Sequence, residues 1–580
     1  MKNTKYSILG ILLLTGFIIN SCEVLEPENE NVYSLDDIKS TITYAEGILL
    51  SAYRNLPASY ADFDLSYGCD EAVTNNRASS VKTAVAGGWT AYSNPFQRWN
   101  TAYESILYLN TFLEEMTDII WYYDINGSPD AEINASYTKR LMGEAYGLRA
   151  FIYSRIMQAH AGLGTNGEML GVPIVDHVLD PKNPDDYKIP RASFNDLVAF
   201  ILSDCDKAIE RLPDRYINTG DFYHDEPMGE QYHNRINALA ARAIKVKTLL
   251  YAASPAFSDG SGGPYTYQRA AEEAAALMDI NGGLSQFTAA KHRDIEFYNS
   301  VVISRNNEHS EVFWISSQEQ LNSWERNNYP PSLYGNGRTN PTQELVNAFP
   351  MADGTPVSDD KINSDDPYSG RDPRLDLFIL YNGSDLGRAG ITIDTKAGSQ
   401  DAVGSSDPNT TLTGYYLKKF MNTKQVNVDP TVNSQTLHYY VYLRYTDVLL
   451  MFAEAANEAV GPDGDIGGYT ARAVINAIRA RAKISSTAYV DGLLDPVGMR
   501  NLIRNERRIE LCFEDQRFWD LRRWEMTDVM KQPVHGVQVS EDGKYTYVEV
   551  EDRNFQDYQI YGPIPYEETQ KYDLVQNQGW

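Results

Sequence analysis

The densest set of groups able to do chemistry lies near the end of the chain. It runs Arg504-Asn505-Glu506-Arg507-Arg508-Ile509-Glu510-Leu511-Cys512-Phe513-Glu514 and on through Arg517-Phe518-Trp519-Asp520-Leu521-Arg522-Arg523-Trp524. Glu506, Glu510 and Glu514 recur every fourth residue, so a helix stacks three carboxylates on one face, with Leu502, Ile509 and Phe513 on another. Such a ladder repels itself by about 0.2–0.5 kcal/mol per pair and needs cations to answer it. Arg507 and Arg517 stand one turn from Glu510 and Glu514, while Arg504 and Arg508 offer forked guanidiniums to other segments. Trp519 and Arg523, four apart, are spaced for a cation–π pair. Two chemistries fit the run: catalysis or phosphate binding, and a partly buried ion-pair network that orients helices. The second is preferred, because structural networks concentrate ionisable groups as active sites do.

Other chemical signatures are missing. The sequence holds no HExxH, CxxC, Walker-type glycine loop or GxSxG. Gly260-Ser261-Gly262-Gly263 lacks the strand–turn–helix setting of a nucleophile elbow, and the eight His are scattered without metal-ligand spacing. Gly461-Pro462-Asp463-Gly464-Asp465 offers oxygens to calcium but lacks the further carboxylate of an EF-type loop, so a solvated turn is expected. A glycoside hydrolase needs two carboxylates at a fixed separation. With 79 acidic residues the sequence cannot single out such a pair. Neither cofactor nor metal is expected.

The elements that must position these groups are mostly helices. Ser34 and Asp37 form a capping box ahead of Ile38, Ile42, Ala45, Leu49 and Ala52. Amphipathic patterns follow over Trp99–Met116, Leu141–Ile156, Leu197–Leu212 (capped by Ser193) and Leu239–Leu250. A helix hairpin returns at Val448–Ala459 and Val474–Ala482. Residues 257–437 differ: rich in Gly, Pro, Asn, Ser and Asp, they are expected to be loops and short helices packed on the helical parts.

The chain begins with a secretory pattern. Lys2 and Lys5 precede an apolar run from Ile8 to Ile19, too short to span a membrane, and then Asn20-Ser21-Cys22. Ser21-Cys22 resembles a lipobox, which implies that Cys22 becomes the acylated N-terminus after removal of 1–21. Residues 22–33 are acidic, polar and Pro-containing, as in a flexible tether.

The 580 residues are 42% hydrophobic and carry a net charge of −28, enough for a large core and unfavourable to nucleic acid or anionic headgroups as partners. Membrane attachment therefore falls to acyl chains. Beyond Cys22 only Cys69, Cys205 and Cys512 remain, an odd and widely spaced set that is neither a disulfide framework nor a zinc site. The enrichment is aromatic: 40 Tyr and 8 Trp supply rigid amphipathic surface suited to helix packing and to sugar faces alike.

The C-terminal Arg/Glu run resembles the signature of the SusD/RagB family of Bacteroidetes outer-membrane lipoproteins. So do, in order, Asn340-Pro341-Thr342-Gln343-Glu344-Leu345, Arg371-Asp372-Pro373-Arg374-Leu375, Gly414-Tyr415-Tyr416-Leu417-Lys418-Lys419-Phe420, Arg444-Tyr445-Thr446-Asp447-Val448-Leu449, Gly562-Pro563-Ile564-Pro565 and Gln576-Asn577-Gln578-Gly579-Trp580. The resemblance implies a mainly α fold: a SusD-like αα-superhelix of tetratricopeptide-type helix pairs over about 34–255 and 438–530. A large irregular loop-rich region over about 256–437 would complete one domain spanning 34–580. It implies a non-catalytic protein, with a glycan as ligand and a SusC-like TonB-dependent transporter barrel as partner. It would be anchored at the cell surface in the outer membrane, and the Arg/Glu run would be scaffold.

Sugar sites need flat aromatics with Asn, Asp, Gln or Arg at the rim. Aromatics inside helical patterns (Trp99, Tyr103, Trp519, Trp524) and Trp314 in its apolar run are expected in the core. Two polar loops remain, at positions where the family places ligand aromatics: Trp89 and Tyr92 with Asn76 and Arg77, and Trp324, Arg326 and Tyr329 with Tyr334. Trp89 and Trp324 are expected to meet as a stacking platform. Trp121-Tyr122-Tyr123 is a weaker candidate, with partner contact as its other reading.

Overall fold

A computed structural model describes residues 34–58, 64–258, 263–288, 311–358, 361, 363–484 and 486–580. The expected signal, Cys22 and the tether lie outside these residues.

Helices pack in succession along the chain. α1 (Ile42–Arg54) lies on α2 (Trp99–Glu115), α2 on α3 (Ala131–His160), α3 on α4 (Phe194–Arg211), and α4 on α5 (Ala238–Ala253). α6 (Tyr267–Ile280) continues the array. The caps are local: Ser34 and Asp37 form the expected box, Asp130 accepts from Glu132 N and Ile133 N to start α3, and Ser193 accepts from Asp196 N to start α4. Small residues let α5 and α6 approach closely. Ala240, Ala241, Ala243, Ala270, Ala271, Ala274 and Ala275 are all buried.

Helix α6 corrects the expected boundary of the loop-rich region. Its Ala-rich face was masked by the surrounding Gly and Pro, yet Thr266 caps it and it packs on both α5 and α8 (Tyr445–Val460). The irregular chain is thus an excursion between two neighbouring helices. It holds the short helix α7 (Ser323–Asn328) and small antiparallel pairings. β1 (Ala72–Thr74) pairs with β4 (Thr339–Pro341), β2 (Val312–Ile315) with β6 (Val441–Arg444), and β3 (Glu319–Leu321) with β5 (Thr436–His438). After α8 come α9 (Ala471–Arg481), α10 (Pro496–Glu510), α11 (Arg517–Arg523) and a hairpin of β7 (Val534–Val539) and β8 (Tyr545–Glu551). One contiguous apolar cluster runs through these elements, from Ala45 to Leu574.

The expected continuous ladder helix is shorter. α10 ends at Glu510, and the chain turns sharply through Phe513 (φ 62°) and Asp515 (φ 60°) before α11. Glu514 therefore projects from the turn.

Candidate functional site

The Arg/Glu run is a buried ion network answered from far along the chain. Glu510 receives Arg374 Nη1 at 3.1 Å, Arg444 Nη1 at 3.4 Å, and Arg481. Glu506 pairs with Arg374 at 2.5 Å, and Glu514 with Arg444 and Lys419 at 2.7 Å each. Glu311 adds Arg444 at 2.7 Å and Arg481 at 3.2 Å. Burial resists ionisation of Glu510, but Arg481, Arg444 and Arg374 hold its carboxyl well below the usual range. The near neighbours expected to serve the ladder are engaged elsewhere: Arg507 with Asp447 and Asp520, Arg517 with Asp70. The expected Trp519–Arg523 stack is replaced too. Arg98 and Arg522 lie over Trp519, at 4.7 and 5.0 Å, and Arg523 over Trp524 at 4.6 Å. A carboxylate held by several guanidiniums is a poor proton donor or nucleophile, so the ladder orients helices.

The loop aromatics divide. Trp89 is 4% exposed, with Nε1 bonded to Asn94 Oδ1 at 2.9 Å and its ring boxed by Phe96, Phe518, Phe555 and Trp580. Trp324 is 1% exposed and stacked on His438, with ring centroids 4.2 Å apart. Tyr329 is buried, its hydroxyl donating to Val426 O at 3.2 Å. No sugar ring can lie on these three while they stay enclosed, which corrects the expected platform. Polar loop sequence does not report burial, because neighbours remote in sequence supply the enclosing rings. Tyr92 is 81% exposed and sits beside Tyr566 near the C-terminus. Trp121 is buried on Phe112, while Tyr123 remains exposed.

The remaining candidates are brought together by the β1–β4 pair. Thr74 stands opposite Thr339, so Asn75, Asn76 and Arg77 leave β1 where residues 336–338 enter β4. Asn75 Nδ2 donates to Asn336 O at 2.9 Å and Thr410 O at 3.2 Å, and Arg338 Nη1 donates to Asn75 Oδ1 at 3.2 Å. The same segment is tied to α7: Asn336 N to Arg326 O, Arg338 N to Asn327 O and Gly337 N to Tyr329 O, at 2.8, 2.9 and 3.0 Å. Gly337 is required here. Its φ is +51°, and a Cβ would stand 2.2 Å from Asn409 O. Arg326, exposed, donates to Asn433 Oδ1 at 2.7 Å. Tyr334 (φ 63°) is 57% exposed. Asp429 is held low first by Thr431 and also by the Tyr334 hydroxyl. Asn76 and Arg77 are exposed at the same edge.

A polar depression of about 880 Å³ is lined by residues 397–400 and 402–408, and the chain just beyond it meets this edge where Asn75 Nδ2 bonds Thr410 O. Asp407 O bonds Thr410, and Asp401, in the same loop, receives Ser332 N and Oγ at 2.9 and 2.6 Å. The contributions of Asn336, Arg338 and Asn433 were not read from the sequence. Each depends on strand pairing or on a contact across about a hundred residues. Among the described residues, no cluster of three or more His, Cys, Asp or Glu could hold a metal ion, and no helix is long and apolar enough to cross a membrane. Asp463, in the turn considered for calcium, is forked by Arg472 at 2.6 and 2.8 Å.

Two family models cover most of the chain. One described as "SusD family" matches residues 296–580, and one described as "Starch-binding associating with outer membrane" matches 26–224. The chain belongs to the SusD family. SusD-like protein P38 of Formosa agariphila is 24% identical over 561 residues, covering 93% of this chain and 95% of that protein. A solved SusD-like protein from Bacteroides fragilis superposes with a TM-score of 0.73 at 24% identity, over 96% of this chain and all of the other. A second structure from that organism, a SusD-like carbohydrate binding protein, gives 0.67 at 22% identity, over 92% and 99%. The mainly α architecture is thus that of SusD-like proteins.

Proposed function

We propose that this SusD-family protein captures oligosaccharide without cleaving it and hands it to a TonB-dependent outer-membrane barrel of SusC type. On this reading it is held at the cell surface through acyl chains on Cys22. The observation that carries the capture step is the β1–β4 pairing. It gathers Asn76, Arg77, Arg326 and exposed Tyr334 at one polar edge beside a shallow depression. Such an edge offers one aromatic face for sugar C–H groups and several donors for rim hydroxyls, each bond worth about 0.5–1.5 kcal/mol net. The family description and the carbohydrate-binding name of a structural relative support this ligand class. The conspicuous carboxylates of the Arg/Glu run are occupied by guanidiniums, which argues against a hydrolase built on them.

Titration calorimetry against soluble starch and a panel of other polysaccharides tests capture, with product analysis after prolonged incubation testing turnover. Saturable binding without new reducing ends is expected; release of shorter sugars would replace this reading with a hydrolase. Native-membrane extraction should bring down a barrel transporter with the protein, and crosslinking that yields only free monomer beside a present transporter would remove the hand-over step.

A further inference from the structure

A separate cleft of about 300 Å³ opens between the turn after α1, the first turn of α2 and the middle of α3. Asn55, Gln97, Arg98, Thr101, Ser105 and Arg155 line it. Arg98 rests its guanidinium 4.7 Å from the Trp519 ring centre and Arg155 lies 5.5 Å from that of Phe151. Among the described residues neither guanidinium forms an ion pair or a side-chain hydrogen bond. Elsewhere in the chain Arg374, Arg444, Arg481, Arg507, Arg517 and Arg523 each hold a carboxylate. The acid acting on both Arg98 and Arg155 is Asp515, whose Oδ2 is already bonded by the Tyr440 hydroxyl at 2.9 Å. Burial, then repulsion from Arg155, draws the Arg98 guanidinium down to about 9.

One backbone donor at the helix start lies at the cleft wall. In the first turn of α2, Trp99 N is capped by Gln97 Oε1 at 3.1 Å and Ala102 N by Arg98 O at 3.2 Å. The N–H of Thr101, on the cleft wall, has no acceptor among the described residues. Two guanidiniums share one carboxyl, Asp515, which the Tyr440 hydroxyl already engages, and among the described residues neither forms an ion pair with it; beside an N–H without acceptor at a helix start, the excess positive charge of this recess is one that oxygen anions complete.

We propose that this cleft is an anion site for one carboxylate or sulfate group, free or carried on a sugar of monosaccharide size. Guanidinium forks match the planar and tetrahedral oxygen sets of these groups. The volume is at the small end of ligand pockets. The site does not depend on glycan capture at the Tyr334 edge, so either can fail without the other.

The test is calorimetric titration of the mature protein at low chloride with sodium sulfate, sodium glucuronate and glucose. Wild type, Arg155→Gln and Arg98→Gln are compared. Saturable binding of sulfate or glucuronate but not glucose is expected, weakened about tenfold or more in each variant as one charge-assisted fork is lost. Because no ion pair is removed, the anion-free melting temperature of Arg155→Gln should not fall. Tighter binding of glucuronate assigns the site to a sugar acid, and tighter binding of sulfate to a free oxyanion. No saturable binding of either anion, equal binding of glucose, or unchanged affinity in both variants overturns the proposal.

Discussion

Asp70 is gripped by Arg517 in a parallel fork, Nε to Oδ1 at 2.9 Å and Nη2 to Oδ2 at 3.0 Å, across 447 positions of the chain. Arg508 adds a contact to Oδ2 at 2.8 Å. The fork ties the segment before β1 to the turn into α11, and so fixes the strand that carries Asn76 and Arg77. Arg517→Ala should cost about 3–5 kcal/mol, since it breaks the fork inside a buried pair. Arg508→Ala should cost less, about 1.5–3 kcal/mol, because Asp70 keeps Arg517. Urea unfolding midpoints measure both, and the reverse ranking would show that Arg508 is the main partner.

Next to Asp70, Glu71 is buried with Oε2 accepting from Ser66 Oγ at 3.2 Å and Phe513 N at 3.3 Å, while Oε1 has no hydrogen-bond partner. Burial pushes its pKa from 4.5 up to about 8, against the pull of Arg517. The folded protein then holds a proton between about pH 4.5 and 8 that the unfolded chain has released. Stability falls as pH rises across that window, by up to about 1.4 kcal/mol per pH unit. Glu71→Gln should flatten the slope. Identical slopes in the two proteins would show that Glu71 is already ionised when folded. Asp70 and Glu510 act at the other limb. Arginines hold both below the usual carboxylate range, so their stabilisation is present above about pH 4 and is lost on further acidification.

Tyr334→Ala and Arg326→Ala should weaken binding of any glycan the protein takes, by roughly three- to thirty-fold, with little change in melting, because both side chains are exposed. Trp89→Ala and Trp324→Ala should instead destabilise by about 3–5 kcal/mol as enclosed rings are removed. Comparing melting curves with affinities of the folded fraction separates the two classes. A Trp324→Ala protein that melts normally but no longer binds would return Trp324 to the site.

Cys22→Ala should move the protein from the membrane fraction to the soluble one, because a single residue would carry the acyl anchor. Fractionation and N-terminal mass spectrometry check this. Continued membrane association with cleavage elsewhere would remove the lipoprotein reading.

Helix positions were legible wherever an apolar stripe and a cap coincided, as at Ser34 and Ser193, because period and capping are local properties. The Arg/Glu run was legible as a network but not in its pairing. Its cations Arg374, Arg444, Arg481 and Lys419 arrive from segments 29 to 136 residues away. For the site, type and loop setting pointed to Arg326 and Tyr334, yet gave no means to separate them from Trp324 and Tyr329 in the same short stretch. That separation is made by α7, whose one turn buries Trp324 and leaves Arg326 outside.

The ion network also has a temporal side. Asp70, Glu311, Arg374 and Arg444 reach their buried places with charges answered wholly or partly by residues of α9, α10 and the turn beyond them. A nascent chain that has not yet produced residue 514 would have to bury those charges with partners missing, at several kcal/mol each. The early helices α1 to α5 bury their own apolar faces, and α3 to α5 carry side-chain caps, so they can assemble while that region waits. Closure of the excursion onto the array is therefore a late event in folding. Chains truncated before α10 should keep helical content yet fail to order the β1–β4 edge.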